Sequence, residues 1–430
     1  MCDLFLLCSS VRDPDIETVI KITGGSNLET IRSAELNAKV SLGAVKQPGI
    51  MAPFEELFGF EGSEFYTVHV PGIKNMLFGD LFECFPEAIP IGVQKDGNEN
   101  VLCPKNRYIM TNTDKVILIS ENENGCKFVG ARAAKSVAVR SDLPDYEPPE
   151  LKQERLLVCG WGENLGRYLK VMNTLFSNAE VHLLNTIPID QRESAMFSLG
   201  LDKEDTKNLT LVHLVGNPTV WAVVKPLRLN SYHCAVVISD FEHYEISPLQ
   251  SDSHNLAVIL LLHNHRDLYL QAKRAKESNR DIDDDEKLSD DESNPLNLLN
   301  SLAPPARSTS QQQEKKSNRT LPIFCEILES TTSKLIEDHP YMSGACHTLN
   351  SNRLLSKILA IVSEDRNVRK ILDLLLDGKV TLSLMPSVLY ANKKEEVSFI
   401  QIMKRAQIFR HIVLGYQHAE MLHLTSINPT

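Results

Sequence analysis

The stretch "ERLLVCGWGENLGRYL", residues 154–169, decides how this chain is read. An apolar run gives way to a turn carrying Gly160 and Gly162, and then to a segment with helical spacing. Strand, glycine turn and helix in that order open a nucleotide-binding βαβ unit. There the first glycine permits a tight turn and the second lets the backbone approach a pyrophosphate. The third lets the helix pack close on the strand. Gly160 and Gly162 fit the first two places, but the third glycine is Gly166, which makes the pattern GxGxxxG. An acid about 20 residues on, at the end of the next strand, grips the ribose hydroxyls in such units. Here that strand ends "VHLLNT" and offers Asn185 instead. An amide brings no charge and fewer acceptor sites than a carboxylate. The turn and the helix N-terminus suit an anion, while tight NAD binding lacks its main anchor. If the crevice is otherwise open, Asn185→Asp is expected to strengthen NAD binding.

Four further apolar segments follow the opening one: "AEVHLLN", "LTLVHLVG", "HCAVVISD" and "LPIFCEIL". Strands that are apolar on both faces and alternate with helical patterns indicate a doubly wound parallel sheet. This α/β lobe spans residues 154–350. It is interrupted at 271–320 by an acidic block, "DIDDDEKLSDDE", and then by Pro, Ser and Gln. That composition buries too little apolar surface to offset its ordering entropy, so disorder is expected there. The acidic run also lacks the glycine and spaced terminal glutamate of an EF-hand loop.

Upstream, residues 1–50 read as strand, helix, strand, helix, with strands in "DLFLLC" and "LETIRS" and helices over 14–23 and 33–46. This looks like the tail of another α/β lobe. Residues 51–140 form a smaller α+β lobe. Its strands are "EFYTVHV", "AIPIGVQ", "ENVLC" and "KVILIS", and "MLFGDLFECFP" has helical spacing up to Pro86. Residues 141–153 are rich in Pro and acid and read as a linker. Residues 351–430 begin with one long helix, "NRLLSKILAIVSEDRNVRKILDLLL". A C-terminal α+β lobe follows, starting at "KVTLSLMP".

Composition narrows the function classes. A net charge of -11 without a basic stripe argues against nucleic acid. Nine scattered cysteines without a CxxC pair fit reduced, buried thiols. No apolar run reaches the length a membrane helix needs. No GxSxG, HExxH or Walker pattern occurs, and His263 and His265 stand two apart on a helical run, which points them to different sides. No catalytic constellation is visible, so the chain is not expected to be an enzyme.

Several of these segments together resemble one family. "FPEAIPIGVQ", "ERLLVCGWGENLGRYL", "LLSKILAIVSEDRNVRKILDLLL" and "SFIQIMKRAQIFRHIVLGYQ" are similar to the region outside the membrane of the CASTOR/POLLUX ion channels of plants. So is "VKQPGIMAPFEELFGFEGSEFYTVHVPG", residues 45–72. The resemblance implies tandem RCK domains, regulators of potassium conductance, each a Rossmann-like lobe plus a smaller α+β lobe. It implies a gating ring of four subunits below a cation-conducting pore, calcium as the ring ligand, and a place at the nuclear envelope. Pore helices and the start of the first Rossmann lobe precede the matching region in that family, and another strand follows it. The chain is therefore expected to be a gating-ring fragment, monomeric or weakly associated alone. Asp240 and Glu242, just past the fourth apolar strand, stand where ligands enter such sheets and are the candidate calcium ligands. The competing readings are an NAD(P)-dependent oxidoreductase or NAD sensor, and a pore-less scaffold.

Overall fold

The polar and apolar pattern resolves, in the computed structural model, into two α/β units that share a core. The structure describes residues 7–11, 14–24, 28–47, 49–59, 62–130, 154–162, 164–198, 200–202, 204–239, 247–280, 321–339, 342, 346–376, 380–392, 394–418 and 421–424. Strand β1 (Leu7–Val11), helix α1 (Pro14–Gly24), strand β2 (Leu28–Arg32) and helix α2 (Ser33–Lys46) form the first unit. Its two strands pair in parallel. Helix α3 (Met51–Leu57) leads into the small lobe, made of β3 (Glu64–His69), β4 (Ala88–Gln94), β5 (Asn100–Leu102) and β6 (Lys115–Ser120). These pair antiparallel in the order β3-β6-β4-β5. The segment "MLFGDLFECFP", with its helical spacing, forms a 3-10 helix over Phe78–Glu83 and no α-helix. Pro86 closes the stretch too soon for an i to i−4 ladder to build up.

The second unit begins with β7 (Glu154–Cys159), α4 (Leu165–Leu175), β8 (Ala179–Asn185), α5 (Ile189–Ser198) and β9 (Leu209–Val215). It continues with α6 (Trp221–Val224), β10 (Cys234–Val237), α7 (Pro248–Arg280), β11 (Ile323–Ile327), α8 (Ser330–Asp338) and β12 (Cys346–Asn350). All strand pairings are parallel, in the order β12-β11-β10-β7-β8-β9. That is the doubly wound order, with its switch point between β7 and β10. Alternate residues of β7 feed opposite cores. Leu156 and Val158 face the cluster that runs on into the small lobe, while Leu157 and Cys159 face the α7 and α8 side. Burial on both faces is why the strands read as unbroken apolar runs.

Three sequence expectations change here. Helix α7 runs to Arg280, so residues 271–280 are helical and the expected disorder does not begin at 271; residues 281–320 lie outside the described residues. The helix carries on because "QAKRAKESNR" is made of helix formers, charged as it is. The long helix after the sheet is two, α9 (Ser351–Glu364) and α10 (Arg366–Leu376). Asp365 takes an extended backbone (φ −129°, ψ 108°). Its carboxylate accepts from the Asn367 amide at 2.8 Å, so it ends one helix and caps the next. A sixth strand, β12, joins the five expected ones.

The C-terminal part holds α11 (Phe399–Ile408), β13 (Gly415–His418) and β14 (Met421–Leu424). Ser398 and Gln401 form a reciprocal capping box that starts α11. Residues 380–386, at the start of the expected C-terminal lobe, carry no regular structure. Their backbone is held from outside, with the Leu384 amide donating to Gln47 Oε1 at 2.9 Å. The linker 141–153 falls outside the described residues.

Candidate functional site

The glycine turn after β7 sits at the carboxyl end of the parallel sheet, beside the switch point. Gly160 has φ +109°, a region open mainly to glycine, and its amide donates to Leu184 O at 3.1 Å. This bond draws the turn onto the end of β8, where Asn185 is the last strand residue. Gly162 and Gly166 are both buried, the latter in the first turn of α4. The four residues expected to bind a cofactor therefore do lie together.

The crevice they frame is already filled. Asn185 is only 3% exposed. Its Oδ1 accepts from the Ile187 amide at 3.0 Å, and its Nδ2 is buried without a hydrogen-bond partner. Beside it lies Arg192 of α5, 1% exposed. Its Nε donates to Ile187 O at 2.8 Å, and Nη1 to Leu183 O at 3.1 Å and His213 Nδ1 at 3.3 Å. Nη2 donates to Asn185 O at 3.2 Å and Leu214 O at 2.8 Å. A guanidinium has five N–H donors, and these contacts engage all of them. Trp161, from the turn itself, lies over the guanidinium, with Cζ 5.8 Å from the indole centroid. Because His213 Nδ1 accepts, His213 is the neutral tautomer. Burial, and then the neighbouring Arg192 charge, hold its pKa below the ordinary value.

The gain expected of an acid at position 185 is conditional on an otherwise open crevice, and Arg192 and Trp161 occupy that space. The carbonyl ends of β8 and β9 and the turn are closed over one saturated cation. No donor of Arg192 is left for a phosphate or a carboxylate. Sequence reasoning missed Arg192 because "IDQRESAMFS" looks like an ordinary surface helix. Trp161, a bulky residue between two turn glycines, was the available hint.

On the other side of the switch point, two buried carboxylates crowd the end of β11. Asp252, fully buried, accepts from the amides of Leu328 and Glu329, both at 2.9 Å. Glu326 is 2% exposed; one oxygen accepts from Ser351 Oγ at 2.8 Å, and Oε2 has no hydrogen-bond partner. Burial pushes the Glu326 pKa above the usual carboxylate value, opposed by its hydrogen bonds to Ser351 and the Ser239 amide. Ser239 and Ser251 hydrogen-bond each other close by. The calcium candidates Asp240 and Glu242 lie outside the described residues. Among the described residues, no group of three or more His, Cys, Asp or Glu side chains is placed to hold a metal ion. His263 is buried, and His265 Nε2 pairs with Lys225 O at 2.9 Å, so the two do not converge.

A third feature joins the units. Asn367, at the start of α10, accepts from Gln94 Nε2 at 2.7 Å and Asn100 Nδ2 at 2.9 Å and donates to Thr67 Oγ1 at 2.6 Å. Its partners belong to the small lobe, 267 to 300 residues away in sequence. Arg366 pairs with Glu29 at 2.6 Å, and Arg369 donates to Thr30 O. From the first unit, Lys46 Nζ donates to Leu175 O at 2.8 Å, and the Ser41 and Tyr168 hydroxyls meet at 3.3 Å. The two units are thus fastened at both ends.

Residues 34–134 match the family described as Castor and Pollux, part of voltage-gated ion channel. The whole chain aligns with the probable ion channel POLLUX of Arabidopsis thaliana, 28% identical over 434 residues, covering 48% of that protein. The ion channel CASTOR of Lotus japonicus is 29% identical over 416 residues, which cover 95% of this chain and 45% of that one. The chain therefore spans less than half the length of these curated relatives. The structure of the human SLO3 gating ring superposes with a TM-score of 0.51 at 10% identity, covering 87% of this chain and 67% of that chain. That likeness establishes the fold, a mixed α/β architecture of gating-ring type. Among the described residues, no helix is long and apolar enough to cross a membrane.

Proposed function

We propose that this chain, similar as it is to the CASTOR and POLLUX ion channels, is the gating-ring region of a ligand-gated cation channel. In this reading it couples binding of a small ligand, calcium first among candidates, to cation passage across an intracellular membrane such as the nuclear envelope. Its partners are the pore-forming part of the channel and further copies of the same region.

The observation that carries this reading is the fastening of one unit to the other through Asn367. A gating region works only if a ligand favours one of two global arrangements, and the coupling is the difference in its affinity for them. Part-buried amide bonds from α10 to the small lobe are a link through which a shift in the parallel sheet reaches the preceding unit. An NAD(P)-dependent oxidoreductase has the strand order in its favour. Against it stand Asn185 at the ribose position and the closed clasp of Arg192 and Trp161.

The test is a ligand panel read by thermal unfolding. A ligand present at 100 times its Kd stabilises by about 2.7 kcal/mol, worth roughly 5–10 °C in a domain of this size. Calcium should produce such a shift, and NAD none. Micromolar NAD binding accompanied by NADH oxidation would overturn the reading.

A further inference from the structure

The small lobe, the segment after α10 and the C-terminal lobe enclose a cavity of about 940 Å³. This lies at the upper end of the range for small-molecule sites. Its walls are mostly apolar, with Phe54 from α3, Phe65 from β3, Ile91 from β4, Leu384 from the segment after α10, Phe399 from α11 and Leu422 from β14. Apolar space of this size holds water poorly, because water there finds few polar partners. An occupant with a long hydrocarbon part would remove that apolar surface from water.

Charge identifies the other end of that occupant. The chain carries a net charge of -11, yet no Asp, Glu or Lys is among the described residues that line the cavity. Arg410 is, and it is exposed, with no hydrogen bond or ion pair recorded for its guanidinium among the described residues. The nearby cations of α11 are spoken for, since Arg405 is paired with Glu395 at 2.6 Å and Lys404 with Glu83. Arg410 also has φ +61°, the left-handed position after a helix that usually goes to glycine. The fold accepts that strain and so keeps a cation at the edge of an apolar hole. Next to it, His411 Nδ1 is 2.7 Å from the buried Tyr390 hydroxyl. With that hydroxyl donating to Nδ1, the ring presents Nε2–H as a second donor. Met385 and Tyr416, 42% and 41% exposed, form part of the rim.

We propose that this cavity binds one long-chain fatty-acid anion. The acyl chain lies among Phe54, Phe65 and Leu384, and the carboxylate meets Arg410 and His411. The inference is independent of the gating reading, and either can fail alone.

Fluorescence titration of the full chain with cis-parinarate, a naturally fluorescent fatty acid, tests it. The expected result is saturable, one-to-one binding that oleate displaces and oleyl alcohol displaces at least tenfold less well. Arg410→Glu should weaken binding tenfold or more, and Arg410→Lys much less. Leu384→Trp, which fills the cavity, should abolish binding while far-UV circular dichroism remains native. If that variant does not fold, the exposed Arg410→Glu carries the test by itself. Non-saturable uptake, equal competition by the alcohol, or an Arg410→Glu variant that binds like the parent would overturn the proposal. So would full binding by a folded Leu384→Trp, or no binding by the parent, the latter meaning that another segment of protein fills the space.

Discussion

Arg192 lies beneath Trp161, its guanidinium carbon 5.8 Å from the indole centroid, and so ties helix α5 to the glycine turn that follows β7. Stripping this side chain to a hydrocarbon removes its donors from the carbonyls of Leu183, Ile187, Leu214 and Asn185, the last of which keeps its bond from the Gly216 amide at 2.9 Å. Losing hydrogen bonds from a charged donor costs about 1.5–3 kcal/mol each, and several are lost together here. Arg192→Met should therefore lower the melting temperature by roughly 6 °C or more. Calorimetry showing an unchanged transition would mean that the clasp contributes nothing.

The same clasp bears on dinucleotides. With Asn185 at 3% exposure, a carboxylate there has no path to a ribose. Asn185→Asp should gain less than tenfold in NAD affinity by isothermal titration, against the tenfold or more that an open crevice would give for one charge-assisted hydrogen bond of about 1.5–3 kcal/mol.

Titration gives stability a defined pH profile. His213, His263 and His347 all have folded pKa values below the ordinary 6.5, with burial the largest cause in each. They stabilise the fold above that value, and the contribution is lost as pH falls from 6.5 through their folded values. Glu326 runs the other way. Its folded pKa is raised above 4.5, so its contribution is complete below 4.5 and is lost as pH rises through the folded value. Glu326→Gln should raise the melting temperature at neutral pH by a few degrees, on the order of 1 kcal/mol, and the gain should shrink toward pH 4.5. Melting curves across pH check both slopes, and a Glu326→Gln gain that is constant with pH would contradict the assignment.

Asn367 offers a test of the fastening between units. Asn367→Leu leaves Gln94, Asn100 and Thr67 each short of a partner, at about 1–3 kcal/mol per buried group. Hydrogen exchange in β5 and the first turn of α10 should speed up at least tenfold, with the parallel sheet protected as before. Unchanged exchange at β5 would show that the amide network does not hold the units together.

The parallel sheet was legible because strands buried on both faces are written as apolar runs, "LLVC" and "LPIFCEIL" among them. Strand β12, "CHTLN", was not, because three of its five residues are polar and it gains its place by pairing with β11. The split between α9 and α10 turns on Asp365, an acid among acids until its carboxylate is seen to cap Asn367. For the candidate site, the turn glycines and Asn185 could be placed from spacing alone. Arg192 could not, since burial of a helix arginine depends on which carbonyls the sheet leaves open. The cavity near Arg410 was invisible for a related reason: its walls come from Phe54 at one end of the chain and Leu422 at the other.

The most direct measurement is current through a chimaera in which this chain replaces the corresponding region of the Lotus japonicus channel CASTOR. Open probability should change when calcium is added on the side of this region, and Asn367→Leu should abolish this response without altering single-channel conductance. A chimaera that reaches the membrane and conducts identically with and without calcium, whether or not Asn367 is intact, would contradict the claim that this chain is a gating region.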